Sequence, residues 1–426
     1  MLDVKFIREN LDKVKENLRK RNLPVDVEQI LSLDIERTSL LQKIENLRAE
    51  RNKISKKPTA KNIKRGKEIK EELKILEPQF KTVDQDLNRA LWNLPNMLHP
   101  EVPLGKDESE NVVIRQWGEP KKFDFKPKDH LEIGERLEII DVKTASKVTG
   151  ARFGYLKGEA VLLEFALIQH GFSVLTDKKI LKTIAEKIEK GYSAKPFIPV
   201  VPPVMIKEEV FNKMARLYPK EERYYIPSDN LYLIGSAEHT LGSMHLNEVI
   251  DEKNLPIRYA GFSTSFRREA GSYGKDTRGI LRVHQFDKLE MESFTAPENS
   301  VKEQGFFVAI QEYLMQSLEI PYQVVMICTG DMGAPDYRQI DIEAWLPGQG
   351  RYRETHTADL MTDYQARRLN TKVRKAGKTE FIHMNDATAF AIGRTIIAIL
   401  ENYQQKDGSV VIPKVLRKYI GKERIE

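Results

Sequence analysis

Two stretches near the N-terminus place mostly apolar side chains at alternating intervals of four and three residues. The first covers residues 33–54 and the second covers residues 69–94. This spacing puts the apolar side chains along one side of a helix, as in the seam of a coiled coil. Pro58 and Gly66 lie between the stretches and do not suit a helix interior. The pattern therefore predicts an antiparallel two-helix hairpin over about residues 27–95.

Pro78 lies inside the second predicted helix. A proline at such a position removes one backbone hydrogen bond and crowds the preceding turn, so it predicts a kink or a break in the helix. At about 1.5 Å per residue, each leg of the hairpin would reach roughly 45 Å.

Beyond the hairpin the hydrophobic pattern changes. Residues 101–130 are rich in proline, glycine and charge, which predicts a connector, and residues 155–190 are predicted to be helical. Short runs rich in β-branched and aromatic residues follow, separated by turn residues, and they predict a largely antiparallel sheet. Residues 386–404 predict a closing helix. The expected fold class is α+β, with helices grouped around one sheet.

Composition narrows the class of protein. The chain has 426 residues, of which 40% are hydrophobic and 31% are charged, so we expect a globular protein of two domains, or three. No run of eighteen apolar residues occurs and the N-terminus has no signal-peptide core, which predicts a cytoplasmic protein without membrane contact. Cys328 is the single cysteine, which excludes an internal disulfide and a cysteine zinc site.

The basic residues are unevenly distributed. Residues 51–67 contain eight lysines or arginines and no acid. This stretch lies at the tip of the predicted hairpin, where it would form an anion-binding patch. From charge alone, an oligomerising coiled coil with solvated charges remains the alternative.

A second basic cluster occupies residues 265–286, with four arginines around Gly271, Gly274 and Gly279. Such a pattern predicts two strands joined by a glycine-rich loop that grips an anion. The chain has neither the GxxxxGK[ST] nor the GxGxxG phosphate-binding motif, so a nucleotide would be bound in another way.

The second cluster belongs to a segment with a recognisable order of residues. FRREAGSYGKDTRGILRVHQFDKLE resembles motif 2 of the class II aminoacyl-tRNA synthetases, in the form found in seryl-tRNA synthetases. AFAIGRTIIAILENYQQKDGSVVIP resembles their motif 3, and TGDMG, DIEAWLP, RYRET and DYQARR lie between the two in the family's order. The resemblance covers nearly the whole chain, including the N-terminal hairpin.

The resemblance implies a domain organisation. Residues 1–110 would form a tRNA-binding domain with the coiled-coil arm, and residues 111–426 would form a class II catalytic domain on an antiparallel sheet flanked by helices. Motif 1 would cover about residues 185–210, with Pro202 at the interface of a homodimer. Motif 2 would cover about 258–292 and motif 3 about 383–404. The implied reaction activates L-serine with ATP and Mg²⁺ and transfers the seryl group to the 3′ end of tRNA(Ser).

The resemblance also assigns residues to the nucleotide. Arg267 would hold the α-phosphate and the substrate carboxylate, and Arg394 would stack on the adenine opposite Phe286. Glu269 would lie on the same strand face as Arg267 and hold the adenine or ribose side of ATP, with Arg268 pointing away between them although it belongs to the same ATP-binding motif. Glu354 and Thr357 would coordinate Mg²⁺ through oxygen. The full expected ATP set is Arg267, Arg268, Glu269, Arg282, Val283, Phe286, Glu354, Thr355, His356, Thr357 and Arg394, with Arg267 and Arg394 as catalytic residues.

The serine pocket and the tRNA site follow in the same way. Serine would be held by Ser236, Ala237, Glu238, Arg267, Glu290, Asn385 and Thr388. Asp386 occupies the position where the family usually has Asn, and a register shift of one residue would give that role to Asn385 instead. The expected tRNA-binding residues are Arg51, Lys53, Lys56, Lys57, Lys61, Lys64 and Arg65.

Two other functions fit a class II fold. An amino-acid:carrier-protein ligase would lack the arm and would carry Cys and His metal ligands, whereas here the arm is predicted and Cys328 is alone. A non-catalytic RNA-binding dimer would not need the residues at positions 267, 269, 354 and 394. Both remain alternatives to serine–tRNA ligase at the level of the sequence.

Overall fold

The computed structural model describes residues 1–57, 59–270 and 278–426, so Pro58, Gly271 and Gly274 of the predicted loops lie outside it. Two compact units divide at residue 97, as Met1–Met97 and Leu98–Glu426. The sequence placed this boundary after residue 110. The connector belongs to the second unit because its backbone bonds there: Thr329 N donates to Pro103 O over 3.0 Å.

The first unit is helical, and its two long helices form the predicted hairpin. Asp26 caps α3 by accepting from Gln29 N over 3.0 Å, and Thr59 caps α4 by accepting from Asn62 N over 3.2 Å. Arg48 pairs across the hairpin with Glu77 at 2.7 Å. The helices are α1 (Val4–Glu9), α2 (Leu11–Lys20), α3 (Val27–Ser55) and α4 (Ala60–Asn93).

The apolar seam of the hairpin forms two separate clusters. Ile44 and Leu47 pack with Ile69 and Leu73 in the shaft. At the base, the ends of α3 and α4 pack with α1 and α2 through a second cluster of Leu2, Ile7, Val14, Leu18, Val27, Ile30, Leu87, Leu91 and Leu94. The base therefore has a core of its own.

Pro78 does not break the second leg, because α4 continues through it. The proline is exposed, so the carbonyl that loses its partner lies on the solvent side. Leu73 and Phe80 pack in the shaft on either side of it. Packing along the seam thus maintains the helix across the missing hydrogen bond.

In the second unit, eight of the described strands form one sheet in the order β1-β11-β12-β13-β16-β10-β9-β4. All its neighbours are antiparallel except β4 and β9, as the sequence predicted for the sheet as a whole. The strands are β1 (Val112–Trp117), β2 (Ile140–Asp141), β3 (Tyr155–Leu156), β4 (Ile198–Val200), β5 (Met205–Lys207), β6 (Tyr225–Ile226), β7 (Leu231–Leu233), β8 (Val249–Asp251), β9 (Ile257–Phe266), β10 (Gln285–Thr295), β11 (Tyr322–Met326), β12 (Arg338–Leu346), β13 (Arg351–Thr362), β14 (Lys372–Lys375), β15 (Lys378–Phe381), β16 (His383–Ala391), β17 (Val410–Val411) and β18 (Arg424–Ile425).

Helices cover one face of this sheet. Leu289 and Met291 on β10 belong to the main hydrophobic core with residues of α7 and α11. Because side chains alternate along a strand, Lys288 and Glu290 point to the opposite face. The helices of this unit are α5 (His130–Arg136), α6 (Val142–Val148), α7 (Glu159–Thr176), α8 (Lys178–Ile188), α9 (Glu208–Lys213), α10 (Glu238–Leu241), α11 (Ser300–Ser317), α12 (Tyr364–Leu369), α13 (Ile392–Tyr403) and α14 (Lys414–Ile420).

The helix predicted over residues 386–404 was wrong in its first part. Residues 386–391 lie in β16, and the helix begins only at Ile392. Ala387 pairs with Met291 on β10 and with Ala358 on β13. Hydrogen bonding to two neighbouring strands outweighs the helix propensity of the alanines here.

One helix of the described ranges, α7, is long and apolar enough to cross a membrane by length and composition alone. Half of its apolar stretch is buried, and it packs against α13 and α14. This is the packing of a core helix.

Candidate active site

A cavity of about 340 Å³ opens on the polar face of the sheet. It brings together residues that the sequence predicted from four separate segments. Those on the expected ATP side are Arg267, Glu269, Arg282, Val283, Phe286, Glu354, Thr355, Thr357 and Arg394, and those on the expected serine side are Glu238, Thr388 and again Arg267.

The two predicted catalytic arginines face this same cavity. Arg267 lies over the Phe286 ring, with Cζ 5.3 Å from the ring centroid, and its Nε donates to Gly235 O over 3.1 Å. Arg394 donates from Nη1 to Glu354 Oε1 over 2.8 Å. The cation over the Phe286 ring is thus Arg267, and the stacking of Arg394 on an adenine opposite Phe286 stays a prediction.

The sequence predicted that Arg267 and Glu269 lie on the same face of one strand, and this prediction was wrong. Strand β9 ends at Phe266, and Glu269 has a left-handed backbone with φ 51°. Both side chains reach the cavity from an irregular segment, fixed where Arg267 N donates to His284 O over 2.9 Å. Arg268 lies instead in a separate cleft beside Tyr224, and its N donates to Glu222 O over 3.1 Å. It does not join the ATP side.

A β-bulge determines which residues of β13 face the cavity. His356 pairs with Ile342 and Glu354 pairs with Glu343, so Thr355 between them has no partner in the ladder. This extra residue lets Glu354 and Thr357 line the same cavity although they are three positions apart.

The same bulge leaves His356 outside the ATP site. Its ring is fully buried, 6.0 Å from the Phe390 ring, and its Nδ1 lies 2.8 Å from Thr355 Oγ1. Burial lowers the pKa of His356 to about 3. The side chain of His356 therefore does not line the cavity, because it lies on the core side of the strand.

Glu354 is an ionised carboxylate. Its side chain is 49% exposed at the cavity, and although partial desolvation would raise its pKa, Arg394 and Arg267 together hold that pKa below its ordinary value. Nearby, Thr357 Oγ1 donates to Asp359 Oδ1 over 3.1 Å and accepts from Gln339 Nε2 over 3.3 Å. These side chains form a group of oxygen ligands at one end of the cavity.

A buried carboxyl cluster lies next to this group, since Asp359 on β13 is directly opposite Asp386 on β16. Glu238, Glu290 and Asp386 each place an oxygen within 4.8 Å of the others. Lys288 Nζ donates to Glu290 Oε2 at 2.5 Å and to Ser236 Oγ at 3.0 Å. Ser236 Oγ in turn donates to Glu290 Oε2 over 3.2 Å, and Ala237 is buried beside it.

The structure decides between Asn385 and Asp386. Asp386 lines the cavity together with Thr388, two positions further along β16. Asn385 points the other way and donates from Nδ2 to Ser300 O over 3.1 Å. Alternation along the strand therefore places the side chain of Asp386 at the cavity and directs that of Asn385 away from it.

Sequence reasoning missed several charged residues of this site. Arg216 Nη2 lies 3.2 Å from Asp359, 3.5 Å from Asp336 and 3.5 Å from Asp386. Arg216 belongs to an irregular segment, so no periodic pattern marks it. Lys288 had a signal, since it lies between Phe286 and Glu290 in the same alternation.

The hairpin tip and Pro202 were also predicted sites. Six of the seven predicted tRNA-binding cations are exposed at the tip, namely Arg51, Lys53, Lys56, Lys57, Lys61 and Lys64. Arg65 differs, because it pairs with Glu50 and Glu72 at 2.8 Å each. Pro202 follows β4, which is the predicted edge strand, and is itself buried, whereas the neighbouring Val201 is 82% exposed.

Known proteins match both units. Residues 1–98 match the seryl-tRNA synthetase N-terminal domain, and residues 222–403 match the tRNA synthetase class II core domain (G, H, P, S and T). The serine–tRNA ligase of Dictyoglomus turgidum is 44% identical over 99% of this chain and 98% of its own, and that of Thermodesulfovibrio yellowstonii is 44% identical over 99% of each.

A solved structure agrees over the same length. The seryl-tRNA synthetase of Pyrococcus horikoshii, complexed with ATP, has a TM-score of 0.89 and 41% identity, covering 100% of this chain and 99% of its own. These matches cover the hairpin, the antiparallel sheet and the polar cavity with its two arginines. The chain therefore belongs to the seryl-tRNA synthetases, a family of class II aminoacyl-tRNA ligases.

Proposed function

We propose that the cavity joins serine to ATP. The serine carboxylate attacks the α-phosphorus, pyrophosphate leaves, and seryl-adenylate forms. The ribose hydroxyl at the 3′ end of tRNA(Ser) then takes the seryl group and AMP leaves. The observation that carries this proposal is the placement of Arg267 and Arg394 in one cavity with a buried carboxyl cluster.

Positive charge on the nucleotide side supports the first step. Charge develops on the phosphates as pyrophosphate leaves, and fixed guanidinium groups stabilise that charge without reorganising. Arg267 is placed to bridge the α-phosphate and the serine carboxylate, while Arg282 and Arg394 face the same cavity. Phe286 offers an apolar surface for the adenine, with Glu269 to accept from its amino group.

The oxygen ligands near Glu354 suit Mg²⁺, a hard ion that prefers carboxylate and hydroxyl oxygen. Glu354 is held ionised, and Thr357 lines the cavity beside it. When bound, the ion would neutralise phosphate charge. We propose Glu354 and Thr357 as its protein ligands.

The carboxyl cluster is suited to a small amino acid with a hydroxyl group. Among the described residues, Glu238 Oε2 and Glu290 Oε1 are buried without a hydrogen-bond partner. The substrate ammonium and hydroxyl can donate to such oxygens, and Thr388 lies on the same wall. Alanine has no hydroxyl group and would leave a buried acceptor unpaired. The free-energy cost of that unpaired acceptor favours the binding of serine over that of alanine. Larger side chains would be refused by size.

Serine binding should depend on pH through Glu290. Burial raises the pKa of its carboxyl to about 7, although Lys288 opposes that rise. The carboxylate that accepts from an ammonium group is therefore lost as the pH falls below about 7. We expect the KM for serine to rise about eightfold from pH 7.5 to pH 6, in proportion to the ionised fraction. Glu290→Gln should bind serine weakly, with little change over this range. A variant that kept the wild-type slope would contradict this assignment.

A pyrophosphate-exchange assay over the twenty amino acids tests the proposed function. We expect exchange that depends on serine, with alanine, threonine and glycine far weaker. Exchange with another amino acid would overturn the serine assignment. No exchange with any amino acid would favour a non-catalytic RNA-binding dimer. Transfer of serine to a carrier protein, in place of tRNA(Ser), would favour the carrier-protein ligase.

The remaining parts of the proposal concern partners. We propose that the exposed cations of the hairpin tip bind the phosphate backbone of the tRNA. The affinity for tRNA would then fall as the salt concentration rises. The edge strand β4 carries the exposed Ile198 and is followed by the exposed Val201, which suits the interface of a homodimer in the cytoplasm. The stoichiometry can be measured by light scattering.

A further inference from the structure

Residues 278–284 form the limb that leads back from the glycine-rich segment into β10. Ile280 and Val283 in this limb line the cavity proposed for ATP. Two groups of hydrogen bonds fix the limb. At its β10 end, His284 N donates to Arg152 O over 3.0 Å. At its other end, the contact is made by a histidine from a different part of the chain.

His130 makes this second contact. It is the first residue of α5 and only 5% exposed. Ile280 N donates to His130 Nε2 over 3.2 Å. A nitrogen that accepts a hydrogen bond carries no proton, so a neutral His130 carries its proton on Nδ1. Nδ1 lies 3.4 Å from Oε1 of the buried Glu401 but makes no hydrogen bond with the described residues.

Gly279 gives an independent reason to link the limb with this ring. Its φ is +73°, and a Cβ atom there would lie 2.1 Å from His130 Nε2. No Cβ approaches a heavy atom so closely, so a side chain at position 279 would displace either the limb or the ring. The limb therefore fits directly against His130.

Glu401 connects this contact to the rest of the cavity. It lies on α13, the helix that also carries Arg394. Its Oε1 accepts from His130 N over 3.2 Å, and its Oε2 accepts from Gly348 N over 2.9 Å. Gly348 belongs to the turn between β12 and β13, so one buried carboxylate joins three elements around the cavity.

We propose that His130 is a positioning residue for ATP. It does not line the cavity. By accepting from Ile280 N, it fixes the limb in the position where Ile280 and Val283 line the cavity. Glu401 in turn holds His130 in place by accepting from its backbone N. This inference rests on the proposed function, because it assigns ATP to that cavity. It predicts a selective effect on ATP, since Ile280 N donates within the limb, whereas the proposed serine-binding carboxyls lie on α10, on β16 and further along β10.

The first test compares His130→Leu with His130→Gln in serine-dependent pyrophosphate exchange. Leucine keeps apolar bulk but cannot accept a hydrogen bond, whereas glutamine can. We expect His130→Leu to raise the KM for ATP about tenfold, the usual effect of one lost hydrogen bond, and to change the KM for serine less than about twofold. His130→Gln should stay within about threefold of wild type for both substrates.

A buried histidine elsewhere provides the matched control. His170 is 4% exposed and its Nε2 lies 2.8 Å from Ser317 Oγ, outside the ATP cavity. His170→Leu should lower the melting temperature without raising the KM for ATP selectively. If His130→Leu behaved in the same way, or changed both Michaelis constants equally, the positioning role would be overturned. Absence of exchange in the wild-type enzyme would instead overturn the proposed function.

A double-mutant cycle tests the same contact if His130→Leu folds poorly. Gly279→Ala should raise the KM for ATP in the wild-type background through both its backbone strain and its clash with the ring. In a His130→Ala background only the strain remains, so the added effect of Gly279→Ala should be several times smaller. Equal effects in the two backgrounds would show that the limb is not held by His130.

Discussion

Replacing Arg267 with alanine should lower the rate of serine-dependent pyrophosphate exchange by about a thousandfold or more. A single fixed donor aimed at a developing oxyanion contributes a factor of a hundred to a thousand in other enzymes, and this guanidinium is placed to contact both reacting groups. Arg267→Lys should recover little activity, because an ammonium group cannot bridge two acceptors in the same plane. Initial rates at saturating serine and ATP measure this effect.

The adjacent arginine is the control for this experiment. Arg268 has the same charge and lies one position away, but it faces the cleft beside Tyr224. Arg268→Ala should stay within about threefold of wild type. Equal losses in the two variants would mean that general positive charge in this segment, and not the cavity, determines the rate.

Removing the shaft of the hairpin should abolish tRNA charging while leaving adenylate formation intact. The structure indicates where to cut. Arg37 lies 3.9 Å from Asp84 across the hairpin, so positions near 40 and 81 face each other and a short turn can join them. Replacing residues 41–80 by a four-residue glycine-containing turn keeps the apolar cluster at the base. We expect exchange within about twofold of wild type and charging reduced at least about a hundredfold.

Charge reversal at the tip tests whether the tip itself contacts the tRNA. Lys56→Glu with Lys57→Glu changes the exposed tip, whereas Lys70→Glu with Lys74→Glu makes the same charge change along the shaft. We expect the first pair to weaken charging by a factor that decreases at high salt. A larger effect from the shaft pair would place the tRNA contact away from the tip.

The regular elements were predictable where one periodicity governed a segment. The hairpin followed from its four-and-three spacing, and the seam residues Ile44 and Ile69 are buried as that spacing required. Residues 386–391 were not predictable in this way. Their alanines favour a helix locally, and only pairing with β10 and β13, which come from distant parts of the chain, makes them a strand.

The site was predictable to the extent that motifs named its residues. Arg267, Phe286, Glu354 and Arg394 all line one cavity. The side-chain direction of a residue was less predictable where the residue was assigned only because it lies within a motif. His356 is an example, since its side chain lies on the core side of the strand. Arg216 was missed because its three carboxylate partners come from separate segments, and a single sequence contains no trace of that arrangement.

The extra residue at Thr355 has a consequence for how this site can vary between relatives. Deleting that residue would restore regular alternation, because Glu354 already pairs with Glu343 and His356 already pairs with Ile342. Glu354 would stay on the cavity face, two positions from Thr357. A one-codon length change at this strand could thus separate two relatives without moving either proposed cation ligand, so an alignment gap here would not indicate a lost site.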